Sequence, residues 1–295
     1  MAESSSQKIN AHNIDLPPQS PLFHAENASR YDRQALIREY EERFACRLLV
    51  MVDIIGPWGI TYLEDLIYDA DPRQDIHVII SSPGGDGESA VRMARSLQSR
   101  CKELYILVPD QAKSAATLLA LGAHKIVMGP TSDLGPVDPQ LQISPDSNQF
   151  IAAKNIIAAV ETAAQKIKEA PETFPLYTSL LSNVNALMVQ QALAALGRTE
   201  TILEEALKCN PDRKIEDVDS LKQTLKDQLV DLPKDHSATF GALDAKNAGL
   251  PVLILSTEDV QWQLIWRLWT KYFVLKHRIY EGARVSHVLG SWLSS

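Results

Sequence analysis

Apolar positions along this chain fall into short continuous runs set between helical patterns. Residues 47–55 (RLLVMVDII), 76–81 (IHVIIS), 104–108 (LYILV) and 125–128 each form such a run. A strand with one wet face would alternate polar and apolar positions, so these runs predict strands buried on both faces. Between them, residues 60–68, 87–100 and 114–122 carry helical spacing, and Ala90, Met93, Ala94 and Leu97 share one face of the second. Strands alternating with helices over short links predict parallel β-α-β crossovers and an α/β fold.

The texture changes after Gly129. The stretch TSDLGPVDPQLQISPDS is loop chemistry, rich in Pro, Gly, Asp and Ser. Residues 149–230 then read as mostly helical, with Ile156, Val160, Ala163 and Ile167 in one stripe. A short helix over 242–248 is stopped by Gly249, and 252–255 (VLIL) is a last strand. Trp262, Trp266, Trp269 and Phe273 recur at helical spacing, and Tyr280 continues the line. They predict an amphipathic aromatic helix that packs on its own domain, joins subunits or docks on a membrane surface, in that order. Residues 1–29, rich in Ser, Asn, Gln and Pro, read as a mobile arm, and 31–44 as a charged helix. The expected division is an arm over 1–29, one α/β domain over 30–255 with a helical insert at about 150–230, and an aromatic helix and tail over 256–295.

Composition narrows the function classes. The 295 residues are 45% hydrophobic, enough for one large core or at most two domains. Net charge is −8 and no basic block stands out, which argues against nucleic-acid binding. Three cysteines, Cys46, Cys101 and Cys209, lie far apart without metal spacing, so buried thiols are expected, and neither a metal nor another cofactor. No apolar run approaches the ~18 residues of a membrane span, and the first residues lack a signal-peptide core, so a cytoplasmic protein is expected.

Two turns carry candidate chemistry. Ser81-Ser82-Pro83-Gly84-Gly85-Asp86-Gly87 follows a buried strand and opens a helix. Its glycines permit positive φ, and amide N–H groups at a helix start suit an anion or a transient oxyanion. The plain reading is a strand-to-helix turn. Ala112-Lys113-Ser114-Ala115-Ala116-Thr117-Leu118 also lies between strand and helix, with small neighbours that leave room for a carbonyl to reach the Ser114 hydroxyl. The plain reading is that Ser114 only caps the helix. One β-α unit separates the turns, so both fall at the carboxyl edge of neighbouring parallel strands, where active sites of open α/β sheets collect.

These residues resemble the serine dehydrogenase proteinase family, relatives of the Clp proteolytic subunit and signal peptide peptidase A. The Pro-Gly-Gly turn and the stretch AKSAATLLALGAHKIVMGPTSDLGPVDPQ carry the resemblance, and His236 and Gly249-Leu250-Pro251-Val252 extend it. The resemblance implies a Clp/crotonase-like stacked β-α-β superhelix and hydrolysis of peptide or protein substrates, within a homo-oligomer. It implies Ser114 as nucleophile and an oxyanion hole from the Gly84, Gly85 and Ala115 amides. Family members tend to carry an apolar residue where Lys113 stands. Where the Clp peptidase has its catalytic histidine, this chain has Asp138-Pro139-Gln140. Two bases are open. Lys154, at the start of a helix, is preferred by analogy with Ser-Lys relatives, and needs burial to lower its pKa. His236, with Asp133 or Asp138 as orienting carboxylate, is the alternative. The plain readings are an exposed lysine, a loop histidine and turn-forming aspartates. The rivals to a peptidase are a crotonase-like acyl-CoA enzyme and an inactive peptide-binding or scaffold member.

Overall fold

The computed structural model describes residues 19–142, 150–233 and 238–291. The chain runs α1 (Pro21–Phe44), β1 (Cys46–Val52), α2 (Pro57–Leu66), β2 (Asp75–Ser81), α3 (Gly87–Gln98), β3 (Leu104–Val108), β4 (Gln111–Ala112), α4 (Ala115–Leu121) and β5 (Lys125–Met128). It continues through β6 (Asp133–Leu134), β7 (Gln140–Gln142), β8 (Phe150–Ala152), α5 (Ala153–Glu169), α6 (Phe174–Leu180), α7 (Ala186–Leu207) and α8 (Ile215–Lys226). It ends with β9 (Phe240–Gly241), α9 (Ala242–Asn247), β10 (Val252–Ile254), α10 (Val260–Leu275), β11 (His277–Glu281) and β12 (Ser286–Ser291).

Seven strands form the main sheet in the order β10-β5-β3-β2-β1-β11-β12. The first five are parallel and the β11–β12 hairpin joins β1 antiparallel. The register explains why the apolar runs are continuous. Leu49, Val78, Ile106 and Ile126 stand in one row facing α2, α3, α4 and α7. Val50, Ile79, Leu107 and Val127 stand in the next row, on the opposite face, under α1 and α10. Both faces are dry, so the centres of these strands do not alternate polar with apolar positions.

A second, small sheet of β4, β6 and β9 rises beside the carboxyl edge of the first. It is linked to β2 by a parallel bridge between Ser82 and Ala112. This bridge sets the two candidate turns side by side.

The structure revises the expected arm and tail. The first helix begins at Pro21, well inside the expected arm, because the Ser20 hydroxyl accepts from the Phe23 N–H at 3.2 Å and caps it. The aromatic stripe packs on the chain's own sheet: Trp262, Ile265, Trp269 and Tyr272 are buried, while Val260, Trp266, Phe273 and Val274 are left outside. An interface through the whole stripe is therefore not available. Tyr280 lies in β11 rather than on that helix. The tail is a hairpin, anchored by Arg33, whose guanidinium pairs with the fully buried Glu281 at 2.7 Å and 3.1 Å while the Tyr272 hydroxyl donates to the same carboxylate at 2.6 Å.

The three thiols are free, and burial pushes those of Cys46 and Cys101 up to about 12. Among the described residues, no helix is long and apolar enough to cross a membrane, and no group of three His, Cys, Asp or Glu could hold a metal ion.

Candidate active site

Ser114 sits at the start of α4 with φ 49° and ψ −116°. Among the described residues, two other non-glycine residues have positive φ, Ala45 and Lys276, and both are ordinary left-handed helix C-caps. Ser114 is different: its ψ takes it outside that well, at a cost of about 1–3 kcal/mol that the surroundings must offset. Its N–H donates to Pro136 O at 3.1 Å and its C=O accepts from Leu118 N–H at 3.1 Å. Thr117 adds a brace, donating to Ala112 O at 2.7 Å and accepting from Gly135 N–H at 3.2 Å. The Ser114 hydroxyl makes no capping bond to α4. A strained serine that does not cap its helix is the geometry of a nucleophile elbow, where a sharp strand-to-helix turn lifts Oγ into the open.

The glycine turn packs against this serine. A Cβ on Gly84 would lie 2.6 Å from Ser114 Cβ and 3.3 Å from its Oγ. Gly84 (φ 112°) and Gly85 (φ 136°) both need backbone freedom that L-residues lack. Gly84 N–H donates to Ser82 Oγ at 3.1 Å, so this amide is occupied and does not face an oxyanion. Gly85 differs. Ile55 clasps both sides of it, donating from N–H to Gly84 O and accepting at O from Asp86 N–H, each at 2.8 Å. Among the described residues, the N–H groups of Gly85 and of Ala115, the first residue of α4, have no partner. Ala115 follows Ser114, and Gly85 follows the glycine packed on it, so these two amides could receive an oxygen bearing negative charge. The structure thus separates two glycines that look equivalent in sequence.

Lys113, next to the serine, is turned away. Its Nζ pairs with Asp133 and donates to Ala238 O at 3.3 Å. Asp133 also accepts from Phe240 N–H at 2.7 Å, so both its oxygens hold β6 to the chain around β9. Asp138 is buried, 1% exposed, and accepts from Gln140 Nε2 at 3.0 Å. It lies in a segment whose Pro136 O holds Ser114 N–H and whose Pro139 O holds Ala153 N–H at 2.9 Å.

Lys154 lies on the first turn of α5, as expected, but its ammonium is committed elsewhere. Nζ donates to Val230 O and Pro233 O, each at 2.5 Å, and approaches Asp231 O at 3.5 Å. Three carbonyls occupy the three donor directions of an ammonium, and no hydrogen bond joins Lys154 to Ser114. His236 lies outside the described residues. The residues that flank it are Pro233, held by Lys154, and Ala238, held by Lys113 beside the serine.

Residues 65–174 match the family model of the ClpP-like SDH-type serine proteinases. That stretch contains both turns, Ser114, Asp133, Asp138 and Lys154, but not His236. Two uncharacterized proteins of Methanocaldococcus jannaschii are similar. One is 34% identical over 143 residues, 44% of this chain and 48% of its own length. The other is 30% identical over 153 residues, 46% of this chain and 49% of its own. The chain spans about half the length of these curated relatives. A crystal structure of a peptidase from Plasmodium falciparum superposes with a TM-score of 0.40 and 12% identity, over 75% of this chain and 98% of that one. The segment that carries the glycine turn and Ser114 is thus the part of the chain that is similar to the ClpP-like SDH-type serine proteinases.

Proposed function

We propose that the protein hydrolyses peptide bonds through an acyl-enzyme on Ser114. The observation that carries this reading is the strained, non-capping Ser114 set against Gly84, with two unpartnered N–H groups beside it. The Ser114 oxygen attacks the scissile carbonyl carbon as its proton passes to a base. The carbonyl oxygen takes up negative charge and is received by the Gly85 and Ala115 N–H groups. The C–N bond then breaks, the base returns its proton to the leaving amine, and a water activated by the same base releases the acyl group.

For the base we take His236, oriented by Asp138. Asp133 pairs with Lys113 and accepts from Phe240, Lys154 donates to three carbonyls, and Asp138 lies buried in the segment whose Pro136 O holds Ser114 N–H. An imidazole titrates near pH 6.5 without special help, so this assignment needs no strongly shifted lysine. The fold alone does not separate a peptidase from an acyl-CoA enzyme. A fluorophosphonate probe does, because it phosphonylates an activated serine. Covalent labelling at Ser114, lost in Ser114→Ala, is the expected result, and an acyl-CoA enzyme or an inactive scaffold would remain unlabelled.

A further inference from the structure

Beyond the two turns, the chain places an ion pair with a buried carboxylate behind the Gly85 backbone. Asp53 directly follows β1, and its carboxylate is 2% exposed. Three donors converge on it: Ile54 N–H at 2.7 Å, the Trp58 indole N–H at 3.2 Å and Arg278 Nε at 2.5 Å. Arg278 comes from β11, where the register of Val52 opposite Ile279 brings it level with Asp53. Its guanidinium also lies 5.7 Å from the Trp58 ring centroid. The Trp58 ring in turn covers Gly56, where a Cβ would meet it at 2.4 Å. Residues 53–56 are therefore held from both ends.

Those four residues contain Ile55, the clasp on Gly85. A Cβ on Gly85 would lie 2.1 Å from Ile55 O, so the two backbones are in direct contact. Any shift of Ile55 is passed to Gly85 through the two 2.8 Å bonds on either side of it. We propose that Asp53 and Arg278 are positioning residues for the peptidase reaction: their ion pair fixes the 53–56 strut that aims the Gly85 N–H at the reacting carbonyl oxygen. This inference rests on the peptidase reading above and extends it to the C-terminal hairpin, which lies outside residues 65–174. Without Arg278, the Asp53 carboxylate is left buried without its cation. It must then draw in water or another donor, and either change moves its neighbours.

An oxyanion donor acts on the transition state more than on bound substrate, so its misalignment is read in kcat rather than KM. The test uses p-nitrophenyl acetate turnover and the rate of fluorophosphonate labelling. Arg278→Leu is expected to lower kcat and the labelling rate by about 10- to 100-fold, with KM within about twofold, because a donor moved by even 1 Å is largely lost. Arg278→Lys is expected to recover part of the rate, since it restores the charge without the fork. Trp58→Phe removes a single donor to Asp53, leaves the ion pair in place, and should show a smaller fall of the same kind. His287→Ala breaks a surface pair with Asp65 on the same hairpin, 2.8 Å long, and should leave kcat unchanged. A folded Arg278→Leu with wild-type kcat and labelling overturns the proposal. So does wild-type kcat in Trp58→Phe should Arg278→Leu fail to fold, or an equal loss in His287→Ala. A wild-type protein that takes no label at Ser114 sinks the peptidase reading itself, which keeps the two failures apart.

Discussion

The Gly84 backbone lies against the Ser114 side chain so closely that a methyl group on it would sit 2.6 Å from Ser114 Cβ. The two residues are 30 apart in sequence, and the Ser82–Ala112 bridge is what brings them together. Gly84→Ala therefore has two faults. It puts an L-residue at φ 112°, and it pushes into the Ser114 side chain. The expected outcome is a protein about 1–3 kcal/mol less stable with a disproportionate loss of activity. Urea unfolding and peptide hydrolysis on the same sample check it. Wild-type activity in a destabilised Gly84→Ala would show that the contact does not matter for chemistry.

The base is decided by two variants. With His236 as base, activity rises through about pH 6–7 and then levels, since the imidazole must be neutral to accept a proton. His236→Ala should lose activity at every pH. Lys154→Arg should keep most of it, because an arginine can also donate to the carbonyls of Val230 and Pro233. An inactive Lys154→Arg whose fold is intact would return the role to Lys154.

Much of this was legible in the sequence. The four apolar runs marked the parallel strands because both faces of the sheet are covered. The two turns and Ser114 stood out because helix and strand patterns flank them. Other features depend on contacts that no local pattern encodes. β4 and β9 are two residues each, too short for a period. The difference between the Gly84 and Gly85 amides turns on one hydrogen bond, from Gly84 N–H to Ser82. Lys154 occupied the right place in sequence, yet its partners arrive from 76 to 79 residues away. Asp53 and Arg278, 225 residues apart, gave no sign of meeting. The aromatic stripe was read correctly as amphipathic, and its plain role, packing on its own sheet, is the one it has.

Stability should fall on acidification through a group far from the site. His77, on β2, is 5% exposed and bonded to the Tyr40 hydroxyl at 2.9 Å. Burial holds its imidazole down to about 4, from an ordinary 6.5. The unfolded chain then binds a proton below pH 6.5 that the folded chain refuses until about pH 4, so stability is complete above that window and declines as pH falls through it. The loss from this group alone is on the order of 3 kcal/mol. Urea unfolding at pH 7 and pH 5 reads it, and His77→Gln should flatten the difference. An equal pH dependence in the variant would contradict the assignment.

The hairpin is anchored by a buried charge pair, which predicts an asymmetry. Glu281→Ala leaves the Arg33 guanidinium buried without its carboxylate and should cost about 3–5 kcal/mol. Replacing both, Arg33→Met with Glu281→Leu, removes the stranded charge and should recover much of that loss. Denaturant midpoints of the single and double variants decide it; a double variant weaker than the single would contradict it.

The central claim is that Ser114 is an activated nucleophile, and intact-mass spectrometry after fluorophosphonate treatment tests it most directly. The account predicts one adduct per chain, mapped by peptide digestion to Ser114 and absent from a folded Ser114→Ala. No adduct on the wild-type protein, or an adduct that persists in Ser114→Ala, would contradict it.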